Sequence, residues 1–257
     1  MKKTVTKALI ATATMTCGMT AFADNHAMDD GPSFTPVEIY PCSFVDGKGM
    51  SDLNRVIDKW NAFMDDNGDD SYSAWLLTPN FVTGNNFDVG WVGVWPDGNA
   101  MGAAGDAGLS PENQAMTGAF FEVVSCAQHA LFASVAMQPI ADESPDRAVL
   151  RFADCTIGDG VEPEAAMSAI GEWTKHQHDN GSESGLFVWW PAFGEDPKAD
   201  YDFKLVTANP SYAAFGKDWE AYGNGGGFAK YDEIVGDKIQ CDIARIYDGR
   251  LVRQASD

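Results

Sequence analysis

A long internal repeat is the feature of the sequence that most restricts its fold. The segment CSFVDG, which begins at Cys42, matches CTIGDG, which begins at Cys155, and each contains an Asp-Gly pair at the same place. A tryptophan follows each cysteine by eighteen residues, as Trp60 and Trp173. A repeat with a period above 100 residues indicates a duplicated domain rather than the short unit of a solenoid.

The repeat and its flanks divide the chain into six segments. The first 23 residues have a basic start, an apolar run and the small-x-small sequence Ala21-Phe22-Ala23, a pattern typical of a secretory signal. No later apolar run is long enough to span a bilayer. We predict a signal peptide (1–23), a mobile leader (24–36), a first module (37–137), a linker (138–147), a second module (148–250) and a tail (251–257).

The charge of the chain limits its partners. The net charge is −21, and removal of Lys2, Lys3 and Lys7 with the predicted signal would make it −24. Phosphate binding depends on Lys and Arg, so this charge argues against nucleic acid and anionic membrane as partners. A hydrophobic fraction of 45% is that of a folded globular chain. We therefore predict a soluble periplasmic or secreted protein.

Four cysteines remain after the predicted cleavage, namely Cys42, Cys126, Cys155 and Cys241. An even number of cysteines in an exported chain favours disulfides over free thiols. Four cysteines allow three pairings. The count alone does not choose between them.

Each repeat alternates between strand and helix patterns. In the first repeat a strand is predicted at 37–43, a helix follows from Met50, two strands cover 73–78 and 86–95, and a second helix opens at Ser110. With a last strand after the second cysteine, the order is βαββαβ, twice. This order resembles the ferredoxin-like module, whose antiparallel sheet runs 4-1-3-2 with both helices on one face.

The ferredoxin-like resemblance implies the disulfide pairing. In that module the last strand lies antiparallel beside the first, so the end of one is near the start of the other. The pairs implied are Cys42–Cys126 and Cys155–Cys241.

Strands that are apolar on both faces, such as 186–190 (LFVWW), require burial of both faces. The chain here resembles the dimeric α/β-barrel superfamily, which implies an α+β fold of two ferredoxin-like βαββαβ modules packed sheet to sheet, here in a single chain. It is also similar to secreted tandem-repeat proteins of marine bacteria, which bring no established activity with them.

Alternation along the strands predicts a ligand site between the modules. We expect the apolar strand faces to meet the helices and the cysteine-bearing faces to look into the space between the sheets. The second set of faces carries five candidate ligand-binding residues: Glu38, Tyr40, Arg151, Arg245 and Tyr247. Such a cleft would suit a small polar-aromatic or anionic molecule. The alternative is a structural Arg–Glu pair.

The histidines give a weaker pattern. His176 and His178 are two apart on a predicted helix, so they point to different sides and do not chelate one ion together. No metal site is predicted. His176 leans inward and is a further ligand candidate, whereas His129 is expected in the core. Because the superfamily resembled here has haem-binding members, either His129 or His176 is a candidate axial ligand.

The sequence predicts an exported, monomeric protein that binds a small molecule and requires no cofactor. One alternative is an enzyme of the dimeric α/β-barrel type, either a cofactor-independent oxygenase or isomerase or a haem protein. Another is a structural or surface-interaction protein with a filled barrel. The sequence contains no nucleophile elbow, phosphate loop, dinucleotide fingerprint or H-E-x-x-H motif.

Overall fold

The computed structural model describes residues 33–67, 70–84, 87–139 and 146–255. The predicted signal peptide, most of the predicted leader and residues 140–145 of the predicted linker lie outside these ranges. None of the helices in these ranges is both long and apolar enough to cross a membrane.

The first half of the described chain contains five strands and three helices. They are β1 (Thr35–Phe44), α1 (Met50–Asn67), β2 (Ser73–Phe81), β3 (Val89–Val94), α2 (Gly98–Gly108), α3 (Pro111–Phe121), β4 (Val124–Cys126) and β5 (Ala130–Gln138). The Ser110 side chain caps α3 by accepting from the backbone N–H of Asn113. Helix α2 has no predicted counterpart, because its Gly- and Ala-rich sequence lacks an apolar periodicity.

The second half repeats this order. Its elements are β6 (Arg147–Ile157), α4 (Pro163–Asp179), β7 (Gly185–Phe193), β8 (Phe203–Asn209), α5 (Tyr212–Gly223), α6 (Gly227–Ile234), β9 (Ile239–Cys241) and β10 (Arg245–Arg253). As in the first half, the second helical segment is split in two, and a short strand with the cysteine precedes the last long strand.

Eight long strands form a closed antiparallel barrel. The first half pairs in the order β2-β3-β1-β5 and the second in the order β7-β8-β6-β10. The pairings β5–β7 and β10–β2 join the halves at both edges. A barrel of eight strands has an interior just wide enough for side chains to fill.

The barrel interior is apolar, which reverses the predicted assignment of the strand faces. Each long strand contributes at least one buried side chain to the interior cluster: Val37, Leu77, Val92, Ala130, Phe132, Phe152, Trp189, Val206 and Tyr247. The cysteine-bearing faces instead meet the helices. Cys42 packs with α1 in one cluster, and Cys155 packs with α4 in another. The prediction that Glu38 and Arg151 look into the space between the sheets is therefore wrong, because the strand side chains fill that space.

An interruption before each last strand sets the face on which Tyr247 lies. Residues 127–129 separate β4 from β5, and residues 242–244 separate β9 from β10. Strict alternation would keep Tyr247 on the face of Cys241, but the three-residue break places it on the opposite face. Tyr247 therefore lies in the barrel interior, the space between the sheets in which it is predicted, and its ring meets that of Phe152.

Two disulfides join the first strand of each half to the short strand before the last one. They are Cys42–Cys126 and Cys155–Cys241, the two pairs implied by the ferredoxin-like resemblance. Each cysteine is also the register partner of the other in the β1–β4 or β6–β9 ladder.

The double variant Cys42→Ser/Cys126→Ser is expected to lower the free energy of unfolding by about 4 kcal/mol, because the bond closes a long loop in the unfolded chain. The sequence separation is 84 residues for this pair and 86 for the other. Urea unfolding measures the loss. The matched variant Cys155→Ser/Cys241→Ser should lose a similar amount, and an unchanged urea midpoint in either would contradict the expectation.

Phe132→Ala tests the assignment of the barrel interior. The Phe132 side chain is fully buried among residues of both halves, so its truncation is expected to cost about 3–5 kcal/mol of unfolding free energy. Phe81→Ala, on strand β2 with the side chain exposed, is the matched control and should change the urea midpoint little. Equal losses from the two variants would place Phe132 outside a packed interior.

Candidate functional site

A cavity of about 670 Å³ lies between the sheet of the first half and helices α1, α2 and α3. We call it the Glu38 cavity. Eight of its lining side chains are Phe, Trp or Tyr: Tyr40, Trp60, Tyr72, Trp91, Trp95, Phe120, Phe121 and Phe193. The size and apolar character of this wall are those of a site for a small molecule. No Lys or Arg is among the described residues that line it.

The carboxylate of Glu38 is the polar centre of this cavity. Glu38 is only 8% exposed, and three side chains contact its two oxygens. The Tyr72 hydroxyl donates to Oε1 at 2.5 Å, and the Tyr40 hydroxyl donates to Oε2 at 3.1 Å. The His129 Nε2 atom lies 2.8 Å from Oε2. A buried carboxylate needs such partners to offset its loss of hydration.

The sheet register explains how Tyr72 reaches Glu38. Gly93 is the partner of Glu38 in the β1–β3 ladder and of Ala74 in the β2–β3 ladder. A side-chain carbon at Gly93 would collide with the Tyr72 ring, so the glycine makes room for that ring. The Trp91 Nε1 atom, two residues earlier on β3, donates to the Tyr72 hydroxyl at 2.8 Å.

His129 connects the buried carboxylate to solvent. It lies in the break between β4 and β5, and its ring stacks on Tyr40 with the centroids 4.0 Å apart. Its side chain is 55% exposed, against 10% for the side chain of Glu38. One edge of the imidazole therefore touches the carboxylate while much of the ring remains open to water.

The environment of Glu38 keeps both phenols protonated. Burial raises the pKa of Tyr40 and of Tyr72 well above the usual value of 10. The negative charge of Glu38 and the hydrogen bonds that the hydroxyls donate to it raise both pKa values further. At neutral pH the two hydroxyls are therefore hydrogen-bond donors.

The structure distributes the six predicted ligand-binding residues over separate places instead of one cleft. Glu38 and Tyr40 share the Glu38 cavity. Arg151 occupies the matching helix side of the second half, near Tyr222 and Tyr231. The single cleft between the two halves, predicted from strand alternation, is not formed by these residues.

Arg245 and Tyr247 lie on the same face of β10, and His176 lies apart from them in α4. Arg245 donates to Asp154 at 3.1 Å, and Asp154 also accepts from Lys204. Tyr247 is a barrel-interior residue. His176 stacks on Trp173 at a centroid distance of 5.5 Å.

Sequence reasoning missed Tyr72 and Trp91 as site residues and named His129 only as a candidate haem ligand. It expected His129 in the core, but the break after β4 turns its ring towards Glu38. One signal was available in the sequence. A glutamate in the middle of a central strand requires polar partners, which here come from side chains distant in sequence.

The fold is shared with several solved structures. A candidate monooxygenase from Lactobacillus acidophilus has a TM-score of 0.55 at 9% identity, over 88% of this chain and 99% of that chain. A candidate chlorite dismutase has a TM-score of 0.52 at 12% identity, over 85% and 95%. A chlorite dismutase variant from Candidatus Nitrospira defluvii has a TM-score of 0.51 at 6% identity, over 85% and 92%.

Identities this low show a likeness of fold alone. The neighbours are of the chlorite dismutase-like, dimeric α/β-barrel type, consistent with the resemblance in the sequence. No protein-family model and no curated protein sequence matches the chain.

Glu38→Gln is expected to lower the pKa of Tyr40 and Tyr72, because the lost negative charge no longer disfavours the phenolates. An alkaline titration that follows tyrosinate absorbance should therefore rise at lower pH than in the wild-type protein. Glu162→Gln, an exposed change before α4, is the control. Superimposable titrations of wild type and Glu38→Gln would contradict the described network.

Proposed function

We propose that this protein is an exported enzyme that binds a small, largely apolar molecule in the Glu38 cavity and transfers a proton from it. One observation carries the proposal: a carboxylate in the wall of an aromatic cavity contacts a half-exposed imidazole at 2.8 Å. This pair offers a base at the ligand and a route for the proton to solvent.

The chemistry follows from the contacts of Glu38. Its carboxylate takes a proton from a C–H next to a carbonyl group of the ligand, and the electron pair of that bond moves to the carbonyl oxygen to form an enolate. Protonation of Glu38 weakens its hold on the two phenols. Tyr40 and Tyr72, kept protonated by their raised pKa values, then become donors for the enolate oxygen.

The fate of the enolate defines the reaction class. Return of the proton to a different carbon gives an isomerisation, and reaction of the enolate with dioxygen gives an oxygenation. Candidate monooxygenases among the solved structures of the same fold favour an enzyme over a protein that only binds its ligand. A purely structural role would not account for an open cavity around the Glu38 carboxylate.

The remaining features of the proposal concern location and architecture. Two disulfides suit an oxidising location such as the periplasm or the medium. We assign residues 37–137 and 148–250 to two ferredoxin-like modules, because both halves share one order of elements and one order of strand pairing. Since the halves close one barrel together, we propose a monomer. Its negative charge argues against nucleic acid and membrane partners.

Haem is the second candidate ligand, because solved structures of this fold include haem-binding chlorite dismutase-like proteins. The Glu38 cavity does not fit it. His129 Nε2 already contacts Glu38, and the described lining has no Lys or Arg to pair with the haem carboxylates. His176, the other candidate axial ligand, lies against Trp173 in the second half. A Soret absorption band in the purified protein would identify a bound haem.

The ketone 2-tetralone, a compact aromatic carbon acid, is a suitable probe of the proposed reaction. The wild-type protein should bind it with quenching of tryptophan fluorescence and should accelerate exchange of its acidic C–H protons for deuterium, measured by NMR. Glu38→Gln is expected to slow this exchange about 100-fold or more, in line with the contribution of a general base. Glu162→Gln should exchange the probe as the wild type does.

A pair of substitutions in α2 tests the cavity itself. Ala104 lines the cavity, whereas the neighbouring Ala103 is exposed and does not. Ala104→Trp should therefore fill the space and abolish binding of 2-tetralone, and Ala103→Trp should leave binding intact. If Ala104→Trp blocks binding but Glu38→Gln exchanges protons as fast as wild type, the protein binds without this chemistry and the enzyme proposal fails.

A further inference from the structure

Arg151 is a cation without an ion-pair partner among the described residues, on the helix-covered face of the second half. It lies in the central strand β6, beside Thr207 of β8 and Ile246 of β10. Within the described chain it makes no hydrogen bond and no ion pair, and its side chain is exposed. A central strand covered by helices normally buries such a position, so exposure here requires an opening beside the guanidinium.

Arg151 lies on the same face of β6 as Ala153 and Cys155, which pack in one cluster with Trp173, Tyr222 and Tyr231. Partial burial lowers the pKa of its guanidinium, while the nearby Tyr231, Tyr222 and Asp218 act in the opposite direction. Arginine keeps its charge under such conditions because its pKa starts near 12.5. The exposed charge therefore lies beside these rings, at a place that we call the Arg151 cleft and define by Arg151, Trp173, Tyr222 and Tyr231.

Asp218, the acidic group that acts on Arg151, is held by other partners. The Oδ2 atom of Asp218 accepts from Ser182 Oγ at 2.9 Å and from Asn209 Nδ2 at 2.7 Å. Ser184 extends this buried network through a contact of 2.8 Å with Ser182. Asp218 thus has hydrogen bonds of its own and leaves the guanidinium without a direct counter-ion.

Aromatic side chains form the rest of the cleft. The ring centroid of Trp173 lies 5.2 Å from that of Tyr231 and 6.2 Å from that of Tyr222. The Tyr222 and Tyr231 hydroxyls make no hydrogen bond to another described residue. The cleft therefore combines an unpaired guanidinium, two hydroxyl groups and an apolar wall.

We propose that the Arg151 cleft is a second binding site, specific for a small carboxylate that carries an aromatic or aliphatic group. The guanidinium matches a carboxylate in a planar, two-point contact, and the rings would cover the apolar part of the ligand. A single cation in this cleft also provides local attraction for an anion in a protein of net charge −21. The site is independent of the proposed reaction in the Glu38 cavity, where the corresponding residue is an acid.

Benzoate is the probe, and isothermal titration of the full mature chain measures its binding. Arg151→Met keeps an apolar stem and removes the charge, so benzoate should bind at least about 10-fold more weakly, as expected for loss of a charge-assisted contact. Benzyl alcohol, the neutral analogue, should bind the wild type more weakly than benzoate does. Urea unfolding of Arg151→Met checks that the variant is folded.

Arg147→Ala is the matched control, since Arg147 is an exposed arginine on the same strand, paired with Asp248 at 3.3 Å. It removes the same net charge and should not change benzoate binding. If Arg147→Ala and Arg151→Met lose the same affinity for benzoate, the loss comes from the change in net charge, and the proposal is overturned. Wild-type binding weaker than about 10 mM would overturn it as well.

The proposed reaction in the Glu38 cavity and the proposed carboxylate binding in the Arg151 cleft can be contradicted independently of each other. Ala104→Trp closes the Glu38 cavity and should leave benzoate binding unchanged if the Arg151 cleft is the site. Loss of benzoate binding in Ala104→Trp would instead assign the carboxylate to the Glu38 cavity and overturn the second site.

Discussion

Hydrogen bonding between β5 and β7, and between β10 and β2, is the constraint on which the rest of this structure depends. These two ladders convert a pair of four-stranded sheets into one closed barrel and leave none of the eight long strands with an open edge. Closure also fixes what the interior can contain. An interior of eight strands is narrow enough for side chains to fill, and large residues from both halves occupy it.

Because the interior is filled, binding sites are confined to the outer faces, between each sheet and its helices. The two halves use equivalent positions there in opposite ways. In the first half Glu38 faces an aromatic cavity and is hydrogen bonded on both oxygens. In the second half Arg151 faces a cleft without an ion pair among the described residues. A duplicated fold has thus acquired two electrostatically different spaces from one architecture.

The sequence predicted the architecture better than the site, and the reason lies in what each depends on. The repeat and the helix and strand periodicities are local, so they predicted the element order, and the fold resemblance supplied the cysteine pairs. Which strand face turns outward depends on closure, a property of the whole sheet. Tyr247 is predicted between the sheets and lies there, but the break of three residues before β10 sets its direction, which alternation from Cys241 does not reveal. His129 was misplaced for the same reason.

Helix α2 bears on how this fold can diversify. It forms part of the outer wall of the Glu38 cavity, consists largely of glycine and alanine, and contains no buried residue. Residues that determine the volume of the cavity therefore contribute little to the stability of the barrel. Selection can enlarge, narrow or reshape the chamber by single substitutions in this helix while the Glu38 group and the barrel stay constant, so ligand preference is free to drift independently of folding.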